Sequence, residues 1–339
     1  MLDPQDSSVE ISVIVPVLDG LRQLEVSLPA LFQALKARSY ELIVVDDGST
    51  DGSALYAASL GARVLETGGR GRGPAAARNV GAFAARADTL LFVDADVAVH
   101  PDTVGHIFQA FERPEVVAIF GAYDDEPPDP SFASQYMNLR HHHVHQIGTS
   151  EAQTFWTGLG AVRTEAFRAI GGFDAEQYPR PSIEDIDLGR RLRAAGGKIL
   201  RWPAMRGTHL KRWSLPEVIR TDVMRRALPW ARLMQCYPGA FSDLNVGRAE
   251  RLKALVAVFL VLTLSAAVFK PALFWVTGLF ALMALGLNWG LLRVFHGRNG
   301  PWFAAQALIY HQLYYLYSAA VFAWAALEHR LFADSSPSS

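Results

Sequence analysis

Thr89-Leu-Leu-Phe-Val-Asp-Ala-Asp96 decides the fold: a short, continuous apolar run gives way at once to two carboxylates one residue apart. A run of that length, rich in branched and aromatic residues, reads as a strand covered on both faces. Ile11-Ser-Val-Ile-Val15, stopped by Pro16, and Glu41-Leu-Ile-Val-Val45 have the same character. Helix-like stretches at about 24–37, 53–60 and 76–87 alternate with these strands, so a parallel sheet with right-handed crossovers follows. In such sheets ligands collect beyond the carboxyl ends of the strands. Those ends carry Leu18-Asp19, Asp46-Asp47-Gly48-Ser49 and Asp94-Ala95-Asp96, acids from three segments that a folded core does not require.

This order describes an α/β nucleotide-binding half. A carboxylate at a strand end is a directional acceptor, so Asp46 or Asp47 suits the imide N–H of a uracil-type base. Asp47-Gly-Ser-Thr-Asp51 also reads as plain strand-turn-helix punctuation. Gly68-Gly-Arg-Gly-Arg-Gly-Pro74 ahead of Arg78-Asn79 is either a flexible connection or a cationic cradle for a diphosphate. Two charged carboxylates as close as Asp94 and Asp96 need a counter-charge unless they merely start a solvated loop. Mg²⁺ or Mn²⁺, shared with a diphosphate, would supply it.

Ser182-Ile-Glu184-Asp185-Ile-Asp187-Leu188 opens a helix, with Ser182 as its expected cap and acids in a first turn that any helix favours. Ahead of it, Thr157-Gly158-Leu-Gly160 and Gly171-Gly172-Phe-Asp174 let a bulky substrate approach the backbone. Asp185 can then act as general base on a hydroxyl, an effect of roughly 10² to 10⁴ in rate. His209-Leu-Lys-Arg212-Trp213 joins a possible metal ligand to cations and a planar aromatic, or forms a basic patch beside a membrane. Residues 201–253 hold eleven Lys/Arg against four Asp/Glu, which suits an anionic leaflet. The histidines of His141-His-His-Val-His145 read first as part of a surface or interfacial helix.

Composition divides the chain. Half of its 339 residues are hydrophobic, yet residues 254–327 contain only Lys270, Arg293 and Arg298 as charges. Apolar runs at 254–269, 271–292 and 301–327 approach or exceed the length needed for a hydrocarbon core of roughly 30 Å. Arg248, Arg251 and Lys253 before the first run, and Arg293 and Arg298 between the others, place the preceding domain in the cytoplasm by the positive-inside bias. The stretch 215–234, where apolar residues alternate with arginines, reads as an amphipathic helix lying on the bilayer. Met1–Glu10 lacks the basic and apolar pattern of a signal peptide. The lone Cys236 excludes an internal disulfide and CxxC redox chemistry, and a net charge of -1 argues against nucleic acid as a partner.

In order along the chain, Ile11–Pro16, Val45-Asp-Asp-Gly-Ser-Thr-Asp51, Ala77-Arg-Asn79, Phe92-Val-Asp-Ala-Asp96, Gly171-Gly-Phe-Asp174 and Glu184-Asp185 resemble the family 2 glycosyltransferases of GT-A fold. The likeness spans residues 9 to 215, roughly. It implies a UDP- or GDP-sugar donor held around Pro16, Leu18, Asp19, Asp46, Asp47, Arg78, Asp94 and Ala95. It further implies a divalent cation on Asp94, Asp96 and His209, and inversion with Asp185 as base and Glu184 beside it. The acceptor would lie along Gly158, Gly160, Gly172, Arg212 and Trp213. Leu18-Asp19 stands where the family usually has a Tyr-Asn-type pair. His209 replaces the first residue of the Gln-x-x-Arg-Trp motif of processive synthases, which resembles a metal-binding histidine of non-processive relatives.

The expected organisation is a catalytic domain over 9–213, amphipathic interface helices over 214–250 and a transmembrane region over 252–328. Its spans fall near 252–269, 271–292 and 302–327, in the inner (plasma) membrane. Three spans are few for a polymer channel, so the expected reaction adds one sugar to a lipid or lipid-linked acceptor. A polysaccharide synthase subunit, a nucleotide-sugar-binding membrane scaffold and a transporter are the alternatives, the last suggested by His311 and Gln312 inside the third run.

Overall fold

A computed structural model describes residues 9–147, 150–241 and 247–332. The chain divides into two compact units, one of residues 1–129 and 145–212, the other of residues 130–144 and 213–339.

The first unit begins with β1 (Ile11–Val17), α1 (Leu21–Leu35), β2 (Tyr40–Asp46), α2 (Ser53–Ser59), β3 (Arg63–Glu66), α3 (Pro74–Ala84) and β4 (Thr89–Val93). It continues through β5 (Val97–Val99), α4 (Thr103–Phe111) and β6 (Val116–Tyr123). After α5 (Phe132–Gln146), most of which belongs to the second unit, come β7 (Glu151–Ala152), β8 (Leu159–Arg163), α6 (Thr164–Ala169), α7 (Glu184–Ala194) and β9 (Lys198–His209). These strands form one mixed sheet in the order β3-β2-β1-β4-β8-β6-β9-β5, with β7 on β9. β1, β2, β3 and β4 run parallel, whereas β8 is antiparallel to both β4 and β6.

Alternation explains why the parallel strands read as unbroken apolar runs. Val13, Val15, Leu91 and Val93 bury on one face with Leu24, Leu28 and Ile107, while Ile14, Leu90 and Phe92 bury on the other with Ala77, Phe120 and Phe167. Space is tight on the second face: a Cβ on Gly81 of α3 would stand 2.6 Å from Ile14. The sheet ends therefore lie where the strand pattern put them, and the carboxylates follow them directly.

The second unit holds the rest of α5, then α8 (Leu215–Arg220), a π-helical turn (Thr221–Ala227), α9 (Leu228–Cys236), α10 (Arg248–Ala267), a 3₁₀ turn (Pro271–Leu273), α11 (Phe274–Leu287) and α12 (Trp289–Phe332). The expected continuous domain over 9–213 loses residues 130–144 to this unit. The reason is packing, since Ala133, Tyr136, Met137 and Leu139 of α5 share a core with Leu291, Phe295 and Tyr310 of α12. Inside it, Asp222 in the π-helical turn accepts two bonds from Arg140, at 2.9 and 2.8 Å. His311 contacts Tyr136 at 2.7 Å and Tyr315 at 3.1 Å, so it takes part in interhelical bonding.

Three separate membrane-crossing helices do not emerge at 252–269, 271–292 and 302–327. No single described helix is long and apolar enough to cross a membrane, and the one pair that qualifies together, 271–287 with 289–332, bends by 70°. α10 starts with Arg248, Glu250, Arg251 and Lys253, α11 has only 14 residues, and α12 is interrupted at Gly300, whose φ of 79° precedes Pro301. Even so, Val268, Phe269, Trp275, Leu282, Trp302 and Ile309 are largely exposed.

Candidate active site

Four loops meet at the carboxyl ends of β1, β2 and β4, and Arg78 ties the last of them to α7. The Arg78 side chain is buried and donates to Asp94 Oδ1 at 2.7 Å and to Glu184 Oε1 at 3.0 Å. Burial works against the guanidinium charge, yet Asp94 and Glu184 hold its pKa above the ordinary arginine value. Two acids 90 residues apart in the chain, from separate motifs, thus share one cation.

At the start of α7 the expected cap is displaced. Ile183 takes the N-cap position, and Glu184 Oε2 accepts the Ser182 backbone N–H at 2.8 Å. Glu184 is therefore engaged on both oxygens, whereas Asp185 next to it meets Thr157 from both its N–H and its hydroxyl, at 3.3 and 3.5 Å, and the Ile186 N–H at 2.8 Å. Burial first, and then the Glu184 charge, push the Asp185 carboxyl up to about 7, against the pull of Arg78. An acid poised there can take a proton from a hydroxyl near neutral pH.

A second acidic station lies beyond β4. Asp96 Oδ2 is 3.5 Å from His209 Nε2, the Leu210 N–H donates to the Asp96 carbonyl at 2.8 Å, and β5 pairs Val97 with His209. Burial raises the Asp96 carboxyl, but His209, joined by Lys211 and a backbone N–H, holds it below the usual range. An imidazole and a carboxylate oxygen facing each other are donors that a divalent cation accepts, with remaining positions left to phosphate oxygens and water. Among the described residues no group of three or more His, Cys, Asp and Glu side chains converges as a ready cage.

The first two acidic loops are occupied differently. Asp47 accepts from the Thr67 hydroxyl and the Arg72 N–H on Oδ1, and from the Gly73 N–H on Oδ2, so it pins residues 67–73. Asp46 accepts the Ser49 N–H. Asp19, at φ 50°, accepts from Thr50 and pairs with Arg70 at 2.5 Å. Asp51, not singled out from sequence as a site residue, receives the Leu21 N–H and the Ser53 hydroxyl, joining the β1 and β2 loops. In these bonds Asp47 serves the glycine-rich loop, and a base contact would have to be made beside them.

Of the remaining residues, Pro16 is half-buried in β1, Leu18 is exposed, and the Ala95 carbonyl accepts the Ser27 hydroxyl at 2.7 Å. Glycine at 158 and 160 answers to Trp156: a Cβ would stand 2.3 Å from its indole at the first and 2.3 Å from its carbonyl oxygen at the second. At Gly172, with φ 73°, a Cβ would stand 2.6 Å from the Asn79 side chain. That side chain donates to the Phe173 carbonyl at 2.8 Å and accepts its N–H at 2.9 Å, which locks the Gly171-Gly172-Phe173 bend. Arg212 is exposed and paired with Asp129 at 3.2 Å, while Trp213 is buried in the second unit. His145 packs edge-on to Trp156, and His141 contacts Arg226.

The profile of the family described as glycosyl transferase family 2 matches residues 12–171, and that of the N-terminal domain of galactosyltransferase matches residues 140–212. Over residues 12–171, just under half of its length, the chain is similar to glycosyl transferase family 2. Relatives include a pre-mycofactocin glycosyltransferase of Mycobacterium tuberculosis, 28% identical over 73% of this chain and 50% of its own length. A validoxylamine A glucosyltransferase of Streptomyces hygroscopicus is also 28% identical, over 55% of this chain and 52% of its own. The chain spans about half the length of these curated relatives. In fold it is similar to a mannosyltransferase of Pyrobaculum calidifontis solved with GDP-Man and Mn²⁺, at a TM-score of 0.51 and 18% identity over 95% of this chain and 91% of the other.

Proposed function

We propose that this glycosyl transferase family 2 domain moves one sugar from a nucleotide-diphospho-sugar to an acceptor hydroxyl with inversion, the acceptor being a lipid or lipid-linked molecule. The observation that carries the reading is Asp185: a buried carboxyl raised to about 7, held by Thr157 and set beside the Arg78 link to Asp94. Asp185 takes the hydroxyl proton as the acceptor oxygen bonds to the anomeric carbon. The bond from that carbon to the donor phosphate breaks, and the nucleoside diphosphate leaves with the electron pair. Thr157 keeps the carboxylate turned to its task, and Glu184, engaged by Arg78 and Ser182, stays out of proton transfer.

Asp96 and His209 are the residues that would hold Mg²⁺ or Mn²⁺, and the ion would supply positive charge to the departing diphosphate. Fold neighbours solved with GDP-Man or UDP and Mn²⁺ favour a divalent cation and a UDP- or GDP-sugar donor. For the acceptor, the support is the exposed apolar surface of α10 to α12, with Phe269, Trp275 and Trp302 outward, beside the basic start of α10. This favours attachment to the plasma membrane with the catalytic unit on the cytoplasmic side.

The test is to incubate purified protein with labelled UDP- and GDP-sugars, Mn²⁺ and either membrane lipid extract or soluble glycosides. Label passing to the organic phase, lost in EDTA, with an inverted anomeric centre by NMR, is the expected result. Transfer only to soluble glycosides removes the lipid acceptor, and transfer from no donor restores the non-catalytic scaffold.

A further inference from the structure

Behind the Asp96–His209 pair stands a stack of rings. Tyr123, buried at the end of β6, lies parallel to the His209 imidazole, with centroids 4.2 Å and planes 7° apart. Trp156 meets Tyr123 edge-on at 4.7 Å, and His145 meets Trp156 at 4.6 Å. The strand under His209 is fixed as well. Buried Asp124 accepts the hydroxyl of Thr208, contacts His100 Nε2 at 2.9 Å, and donates its own N–H to the Gly207 carbonyl at 3.0 Å.

An imidazole that is to share a cation with a carboxylate must keep one nitrogen aimed at a fixed point. Rotation about its Cβ–Cγ bond turns that nitrogen away, and a ring held flat against another ring loses contact over its whole face when it rotates. Outer partners that orient a ligating histidine are usually hydrogen-bonding groups, and losing one costs about 10- to 100-fold in metal affinity. Here a ring face adds to the aiming, with Trp156 packed edge-on against Tyr123.

Resting on the cation reading above, we propose that Tyr123 is a positioning residue for His209, fixing the plane in which Nε2 faces Asp96. The residue touches neither donor nor acceptor in this role. Trp156 links the same stack to the base, since its neighbour Thr157 holds Asp185.

The experiment is direct Mn²⁺ binding, by calorimetry or by loss of the free-ion EPR signal, on wild type, Tyr123→Phe, Tyr123→Leu and His209→Ala, each checked for folding by circular dichroism. Tyr123→Phe keeps the stack and should bind as wild type. Tyr123→Leu should bind about 10-fold more weakly or worse, while the pH midpoint assigned to Asp185 stays where it was. Should Tyr123→Leu not fold, Tyr123→Met fills similar space without a rigid plane and takes its place. A folded Tyr123→Leu with wild-type affinity, beside a defective His209→Ala, overturns the role of Tyr123 alone. If His209→Ala binds Mn²⁺ as well as wild type does, or if wild type binds none, the cation assignment itself falls.

Discussion

The acids that follow β1 and β2 and the acids that follow β4 and open α7 lie in one unit and carry one kind of charge, yet their oxygens are engaged differently. Asp19 and Asp47 each accept two or more bonds from neighbouring loops and Asp51 one, and together they stitch residues 19–21, 49–53 and 67–73 into one surface. Beyond β4 the charges are left opposed: Asp96 against His209, and Asp185 against Glu184 with Arg78 between the motifs. Acids that accept loop donors build a rim, whereas buried acids set against other charges are what chemistry draws on. Carboxylates that look alike in a sequence are separated by what stands beside them: Asp47 meets only loop donors, whereas Asp185 is buried against the Glu184 charge.

Removing the reactive member should have the largest effect. Asp185→Asn is expected to lower kcat by about 10² to 10⁴ while Mn²⁺ affinity is retained, and to abolish the wild-type rise in rate with a midpoint near pH 7. The sign for stability follows from the same shift. An unfolded aspartate releases its proton near ~3.9, so between that pH and about 7 the native state binds a proton that the unfolded chain has lost. Native stability from this group is present at low pH and lost as pH rises through 7, and Asp185→Asn should flatten that slope in melting curves. A pH-independent rate in wild type would contradict the assignment.

Arg78→Met sharpens the contrast from the other side, because it leaves two acids facing each other without their cation. Loss of one partner from a buried pair costs about 3 to 5 kcal/mol, to be read from urea unfolding, and a variant as stable as wild type would show that Asp94 and Glu184 do not depend on it. Least costly is the rim. Asp47→Ala strands the Arg72 and Gly73 N–H groups and should destabilise by about 1 to 3 kcal/mol, with faster proteolysis confined to residues 67–73. If Asp47→Ala instead abolished donor binding with that loop still protected, Asp47 would belong with the reactive acids.

The sequence made the sheet half readable because strand periodicity and the Pro, Gly and Asp punctuation are local signals: 11–15, 41–45 and 89–93 all lie inside observed strands. It also showed where the acids would gather. What it could not show were partners distant in the chain, such as Thr157 for Asp185, Tyr123 for His209, or α5 packing with α12, since contacts between separated segments leave no spacing to detect. The apolar run from 254 onward read as three spans because composition counts residues and does not see a bend of 70° or a break at Gly300.

Asn79 carries a consequence of its own. By donating to one backbone group of Phe173 and accepting from the other, its side chain behaves as a detached peptide unit, a single rung of β ladder thrown from a helix to a bend 94 residues later. Aspartate at 79 could accept but not donate, serine could not reach both groups, and glutamine would overshoot by one methylene. Geometry alone thus favours asparagine at this position, through its two bonds to the Phe173 backbone.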